Sequence, residues 1–557
     1  MIRQHIATVL QQAVKTKYQL DVPEVEVTLA SGEFGDYASN VAFGLAKQLG
    51  KAPRAIAAEI ADGLSDDVIA RAEAAGAGFI NFDLTDEALL KRVAGATVIA
   101  PTYEGKVVVT EYSDPNPFKV LHVGHLYTTV VGDAISNLIR AASGQVHPVN
   151  FGGDIGLHVG KTLWAIIRDF GGENPAKLAD IVEADRSEWM AGCYVAGTQA
   201  YDADETAKAA IMDLNVRVYK LVDDNDHESA LAQIYWTCRG WSYDYFNQFY
   251  ARIGSSFERY YPESETGPIG LATVKDQLKK GVYSESKGAV VFDGEPYGLH
   301  TRVFITSQGL PTYETKDLGG IISKWNDYKF DRSIVITGND IIEYMKVLLK
   351  SVEQFAPELA LRTTHITHGN VKLSGGVKMS SRKGNFLRAY DVLDLVSEAN
   401  ASANGNNDDT VMLGAVKYSF LKSRVGSDIV FIPEESVVLD GNSGPYLQYA
   451  HARARSILAK SGGLKPQTAL GLVGDERALA VKIAEYSDVV DRAVAELLPH
   501  YVCTYLYELA QVFNRFYEHN RVLGDERETM RLNLVAWYAG VLKSGLELLG
   551  IEAPERL

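Results

Sequence analysis

Lys106-Val107-Val108-Val109-Thr110-Glu111-Tyr112 runs into Ser113-Asp114-Pro115-Asn116-Pro117-Phe118-Lys119, and then into Leu121-His122-Val123-Gly124-His125-Leu126. The first block is a continuous apolar run, which suits a parallel strand buried on both faces. The second is a Pro/Asn-rich loop. The third opens a helix expected from about Gly124 to Ala142, and Val146 to Phe151 reads as the next strand. Strand, loop, helix and strand make a βαβ unit, so the centre of the chain is expected to be a Rossmann-type parallel sheet. A helix behind such a strand carries roughly half a positive charge and unpaired N–H groups at its start. His122 and His125 flank Gly124 at that point, and Lys119 adds a cation. The histidines can donate to charge developing on phosphate oxygens, and Gly124 lets a phosphate or purine approach the backbone. The plainer alternative is a capped surface turn or half a metal site.

Far downstream, Ser374-Gly375-Gly376 leads into Lys378-Met379-Ser380-Ser381-Arg382-Lys383-Gly384-Asn385. This loop has cations to close on a triphosphate and hydroxyls to bond it. Taken alone it could be a solvated basic loop. Two such motifs in one chain point to a protein that handles a nucleoside triphosphate.

The remaining composition narrows the class. At 557 residues, 46% apolar and 23% charged, the chain is expected to be a soluble multidomain protein. Cys193, Cys238 and Cys503 are widely spaced, which gives no disulfide framework and no metal-ligand spacing and suits a reducing cytosol. No secretory leader and no membrane-length apolar run is evident. The net charge of −16 argues against nonspecific nucleic-acid binding, and no DNA partner is expected. Yet Leu361 to Ala389 holds six Lys or Arg and no acid, and Gly441 to Gly474 holds four and no acid. An acidic protein with such stretches can hold a polyanion at chosen places.

Residues 1–100 read as an α+β unit. Ile2 to Val14 and Ala38 to Leu49 have helical periodicity, Pro53 sits near the start of a third helix, and Gly76 to Phe82 reads as a turn and strand. Residues 101–435 read as the parallel-sheet domain with a helical insertion over 171–285, and Ser333 to Thr337 as a further parallel strand. Residues 436–557 read as an all-α helical bundle.

Both motifs, taken with their surroundings, resemble class I aminoacyl-tRNA synthetases, and within them the arginyl-tRNA synthetase family. The likeness is carried by Tyr112 to Lys119, Gly152-Gly153-Asp154-Ile155-Gly156-Leu157-His158 and Pro311-Thr312-Tyr313-Glu314-Thr315-Lys316-Asp317. It extends to Gly35-Asp36-Tyr37-Ala38-Ser39-Asn40-Val41-Ala42, to Ala77 to Phe82, to Ser443 to Arg453 and to Leu549 to Leu557. It thus covers almost the whole chain.

The resemblance implies arginine–tRNA ligase activity, with ATP and Mg2+, L-arginine and tRNA(Arg) as partners. It implies a cytoplasmic enzyme, expected as a monomer, with no structural metal. Catalytic roles would fall to His122, His125, Lys119 and Lys378. ATP would meet His122, Gly124, His125, Lys378, Met379, Ser380, Ser381 and Arg382. Arginine would meet Asn116, Glu263, Tyr313 and Asp317, since a planar cation with five donors needs a carboxylate fork. The N-terminal unit would touch the tRNA elbow. The helical domain would read the anticodon through Tyr446, Tyr449, Arg453 and Arg455, an aromatic and basic face suited to splayed bases. Phe513, Arg515, Phe516 and Tyr517 are weaker candidates, with helix core as the plainer reading. The chain departs from the family pattern at Ser381, where a lysine is usual, and Lys119 is the candidate to supply that charge. It departs again at Ile341 and Ile342, where Gln or His is usual and Asn339 or Asp340 is the candidate replacement. A synthetase for another amino acid and an inactive tRNA-binding paralogue are the rival readings.

Overall fold

The computed structural model describes residues 2–30, 34–373, 387–405, 408–462 and 471–557. The second motif, Lys378 to Arg382 with Lys383, lies outside the described residues.

The N-terminal unit lays the helix Ile2–Tyr18 over a four-stranded antiparallel sheet, ordered Val27–Leu29, Tyr37–Ser39, Phe79–Leu84, Ile69–Ala75. The helix buries Ile6, Leu10 and Val14, four residues apart on one stripe. Pro53 is the first residue of the helix Pro53–Ala61. The helical period expected from Ala38 is corrected at its start. Tyr37–Ser39 is a strand, and the helix runs Val41–Leu49. Tyr37 and Ser39 pair with Phe82 and Ile80, and this ladder overrides local propensity.

The central domain is a five-stranded parallel sheet. In chain order its parts are β1 (Val107–Glu111), α1 (Val123–Ala141), β2 (Gln145–Gly152), α2 (Leu157–Phe170), α3 (Arg186–Ala203), α4 (Glu205–Asp223), α5 (Ala230–Ile253), β3 (Arg259–Pro262), α6 (Glu263–Lys279), α7 (Tyr313–Tyr328), β4 (Arg332–Gly338) and β5 (Thr363–His368). The strand order is β5-β4-β1-β2-β3. β1 lies at the centre, with Val108 and Val109 fully buried. From β1 the chain moves first to β2 on one side and later to β4 on the other. The C-terminal edge at this reversal is where α/β sheets bind ligands.

The helical insertion is shorter than expected. α3, α4 and α5 form it, but Arg259–Pro262 returns to the main sheet as its edge strand beside β2. Four residues are too few to show a strand period in sequence. The C-terminal domain is a bundle of Gly444–Lys460, Asp475–Ala484, Tyr486–Glu496, His500–His519 and Glu528–Leu548. It docks on the N-terminal unit: Arg477 bridges Asp36 at 2.8 Å and Asp86 at 2.7 Å. Among the described residues no helix is long and apolar enough to cross a membrane.

Candidate active site

His122 is the N-cap of α1. Its Nδ1 accepts the Gly124 N–H at 3.0 Å, while Nδ1 of His125 accepts the His122 N–H at 3.1 Å. The two rings lie 3.8 Å apart, centre to centre. Burial, reinforced by the Lys119 charge, pulls His122 down to about 4. Burial and the neighbouring His122 hold His125 well below its ordinary value. Both rings are therefore neutral near pH 7, and with Nδ1 committed to the backbone each proton sits on Nε2. The pair presents neutral N–H donors rather than imidazolium cations. Gly124 gains a second purpose from this geometry. A Cβ there would lie 2.7 Å from the His122 ring, so glycine leaves room for the cap itself.

Lys119 shares a cavity of about 90 Å3 with Asn116, His122, His125 and Tyr194. Its Nζ lies 4.7 Å from the centre of the Tyr194 ring, and burial lowers its pKa to about 8. Tyr194 arrives on α3, far from the first motif in sequence. Leu387, the first described residue after the second motif, accepts the Val123 N–H at 2.9 Å through its carbonyl. Ala389 N–H in turn donates to Leu121 at 2.9 Å. The chain leaving the second motif is thus stitched to the first.

Acidic residues lie beside Asn116. Oδ1 of Asn116 accepts the Gly153 N–H at 2.8 Å, which leaves its NH2 to donate. A Cβ on Gly153 would lie 2.6 Å from that oxygen and 3.2 Å from Glu263. Glu263 begins α6 and is 2% exposed. Asp154, fully buried, fixes that turn by accepting the Ser264 N–H at 2.9 Å, its hydroxyl at 2.6 Å and Arg239 Nε at 2.8 Å. Asp317 on α7 accepts a hydrogen bond from the Tyr344 hydroxyl. Burial pushes Asp317 up to about 8, against the lowering effect of that bond. Glu111, at the end of β1, is paired with the buried Lys324 at 2.6 Å. Asp114 accepts the Phe151 N–H at 2.8 Å and is held well above the usual carboxylate range by burial and by Glu111. Tyr313 is 63% exposed at the rim.

The sequence-derived sets Asn116, Lys119, His122, His125 and Glu263, Tyr313, Asp317 thus converge on one cleft. Besides Tyr194, three members were not singled out in sequence. Lys316 lies inside a motif quoted for its neighbours, and Tyr344 inside the segment searched for a polar replacement. The Tyr344 hydroxyl bonds Asp317. Asp114 lies inside the Pro/Asn loop.

In the C-terminal bundle the expected face is divided. Tyr449 is 46% exposed, and Arg453 and Arg455 are exposed. Tyr446 is only 9% exposed, with its hydroxyl accepting from Asn514 at 2.8 Å. That corrects its expected role as a base-stacking surface: the helix turns it into the bundle. Phe513 and Phe516 are fully buried, and Phe513 stacks on Tyr538 with ring centres 3.8 Å apart. They belong to the core.

Family models match along the chain. Residues 87–432 match the class I tRNA synthetase (R) catalytic domain, 1–84 the arginyl tRNA synthetase N-terminal domain, and 447–557 the DALR anticodon binding domain. The chain is 28% identical to an arginine–tRNA ligase of Phocaeicola vulgatus, with both chains covered in full. It is 29% identical to one of Porphyromonas gingivalis, over 98% of each chain. The arginyl-tRNA synthetase structure of Thermus thermophilus superposes with a TM-score of 0.81 at 26% identity, covering all of both chains.

Proposed function

Because the chain belongs to the class I arginyl-tRNA synthetase family, we infer that its cleft divides arginine activation between two oppositely charged walls. The protein is an ATP-dependent arginine–tRNA ligase. In our reading the arginine carboxylate attacks the α-phosphorus of ATP, giving arginyl-adenylate and releasing pyrophosphate. The Nε2–H groups of His122 and His125 donate to the phosphoryl oxygens as charge builds on them. Lys119 adds a cation, and Lys378 of the second motif is read as adding another. Mg2+ enters with ATP as part of the substrate, held mainly by phosphate oxygens. Among the described residues no group of three or more acids, histidines or cysteines is placed to hold an ion by itself.

Arginine lies on the acidic wall. The NH2 of Asn116 takes its α-carboxylate end, and Glu263 takes the guanidinium. Asp317 and Tyr313 contact the α-ammonium and the side chain. In the second step a ribose hydroxyl of the tRNA 3′ end, read as the 2′-OH, attacks the adenylate and AMP leaves. tRNA is read as necessary for the first step as well. The N-terminal unit takes the elbow, and Tyr449, Arg453 and Arg455 take anticodon bases. The protein is read as a cytoplasmic monomer, and its three buried free thiols suit a reducing compartment.

The observation that carries this reading is the neutral histidine pair, fixed by backbone N–H groups in one cavity with Lys119 and Asn116. ATP–pyrophosphate exchange with arginine, with and without tRNA, tests it. Exchange is expected with tRNA present, and its absence under both conditions would overturn the assignment. A panel of amino acids in the same assay checks the selectivity assigned to Glu263.

A further inference from the structure

One ion pair in the cleft has no task in the mechanism above. Lys316 Nζ lies 2.5 Å from Oε2 of Glu263, with side-chain exposures of 4% and 3%. The same ammonium is 5.4 Å from the centre of the Tyr313 ring and 5.6 Å from that of Tyr219. A point that a carboxylate and two aromatic rings all reach is a favourable cation site. The position read as the guanidinium site therefore already holds a positive charge. Burial works against the ammonium, but the Glu263 carboxylate overrides it and keeps Lys316 protonated. The backbone sets the pair. A Cβ on Gly270 would lie 1.8 Å from the Thr315 carbonyl oxygen, and one on Gly319 would lie 1.9 Å from that of Thr266. Only glycines let α6 and α7 cross this closely, and the crossing carries Lys316 onto Glu263.

We propose that Lys316 is a specificity-determining residue: its ammonium occupies Glu263 in the empty enzyme, and arginine binds by exchanging its guanidinium for that ammonium. The proposal rests on the reading of Glu263 as the guanidinium partner. Exchange keeps a cation on Glu263 throughout, so no buried carboxylate is left bare. It also discriminates. A guanidinium brings a planar fork of donors that an ammonium lacks, so arginine gains by the exchange while substrate lysine only replaces like with like. Citrulline, with a neutral urea, has no charge with which to displace Lys316. The displaced side chain has a destination. A cavity of about 350 Å3 begins at Gly267, beside the Lys316 stem, and is lined by Tyr219, Asp223 and Ser264.

Differential lysine labelling of the full-length wild-type protein tests the exchange directly. With an amine-acylating reagent and peptide mass spectrometry, modification of Lys316 is expected to rise about tenfold at saturating arginine. Unchanged or reduced labelling would overturn the proposal. A second arm measures arginine and citrulline binding by equilibrium dialysis. Lys316→Met is expected to tighten arginine about tenfold and to let citrulline compete. If Lys316→Met instead weakens arginine as much as Glu263→Gln does, Lys316 only holds Glu263 in place, and the exchange is wrong while the reading of Glu263 survives. If Glu263→Gln binds arginine like the wild type, that reading falls and takes the exchange with it. The labelling arm needs no variant, so it decides the matter should Lys316→Met fail to fold.

Discussion

The two walls of the cleft respond to the same burial in opposite directions. On the phosphate wall, burial lowers the pKa values of Lys119, His122 and His125, against the raising effect of Glu263 on Lys119. On the amino-acid wall, burial puts protons onto Asp317 and Asp114, while Glu263 and Glu111 are matched by Lys316 and Lys324. The amino-acid wall is thus closer to neutral than its residues suggest, while Lys119 keeps its charge at neutral pH on the other. Substrates restore the charge: a triphosphate favours protonated Lys119, and a guanidinium favours ionised carboxylates. Burial so acts as a selector, because only ligands of the right sign at the right wall recover what desolvation took away.

The sharpest way to break this comparison is Glu263→Gln. Removing one partner of a buried charged contact costs about 3–5 kcal/mol, so kcat/KM for arginine should fall by roughly 10²–10⁴ while KM for ATP stays within about twofold. Equal losses for both substrates would mean that the walls are not separate. His125→Ala should act on the other wall. Loss of a transition-state donor is expected to lower kcat by about 10²–10³ and leave arginine KM nearly unchanged, measured by single-turnover activation.

The pH dependence separates the walls by sign. Asp317, at about 8, is protonated at neutral pH, and binding of the arginine α-ammonium favours its ionised form. Arginine affinity should therefore rise with pH, by up to about tenfold per unit, and level off above about 8. Asp317→Asn should flatten that slope in binding titrations. Lys119, also at about 8, loses its charge as pH rises, so kcat should decline on the alkaline side by about tenfold. Lys119→Arg should move that decline to higher pH, since a guanidinium keeps its proton. An unshifted decline would remove Lys119 from the phosphate wall. The smallest effect is expected for Gly124→Ala. Its Cβ would push the His122 ring off the cap, costing about 1 kcal/mol of stability in thermal unfolding together with a severalfold loss of kcat.

Legibility in sequence followed distance along the chain. The strand, Pro/Asn loop and histidine helix were readable because they are consecutive, and each has a local period or turn signal. Asn116, Lys119, His122 and His125 came with them. Lys316 and Glu263 are 53 residues apart on two helices whose crossing depends on Gly270 and Gly319, and neither glycine carries a pairing signal. Tyr194 reaches the phosphate wall only because α3 of the insertion folds back over it. Tyr446 was misplaced because helical spacing puts it near Tyr449 without saying which of the two the bundle covers. Asp36 and Tyr37 marked the N-terminal unit in sequence. Folded, Asp36 pairs with Arg477 and the Tyr37 hydroxyl donates to Asp488 at 3.4 Å, so part of that motif holds two domains together.

The amino-acid order by itself determined the parallel-sheet core, the three-part organisation, and which chemical groups gather at the first motif. These follow from short-range periodicity, turn residues and motif order, which are written along the chain. Only the tertiary structure decided which of those groups are charged and which are already paired. Protonation depends on desolvation and on the distance to other charges, and both are set by helices and strands that sequence separates and packing joins. The two histidines read as hydrogen-bond donors in the sequence are neutral Nε2–H donors, because their Nδ1 atoms are committed to the backbone. The carboxylate read as open to substrate became one that Lys316 already holds.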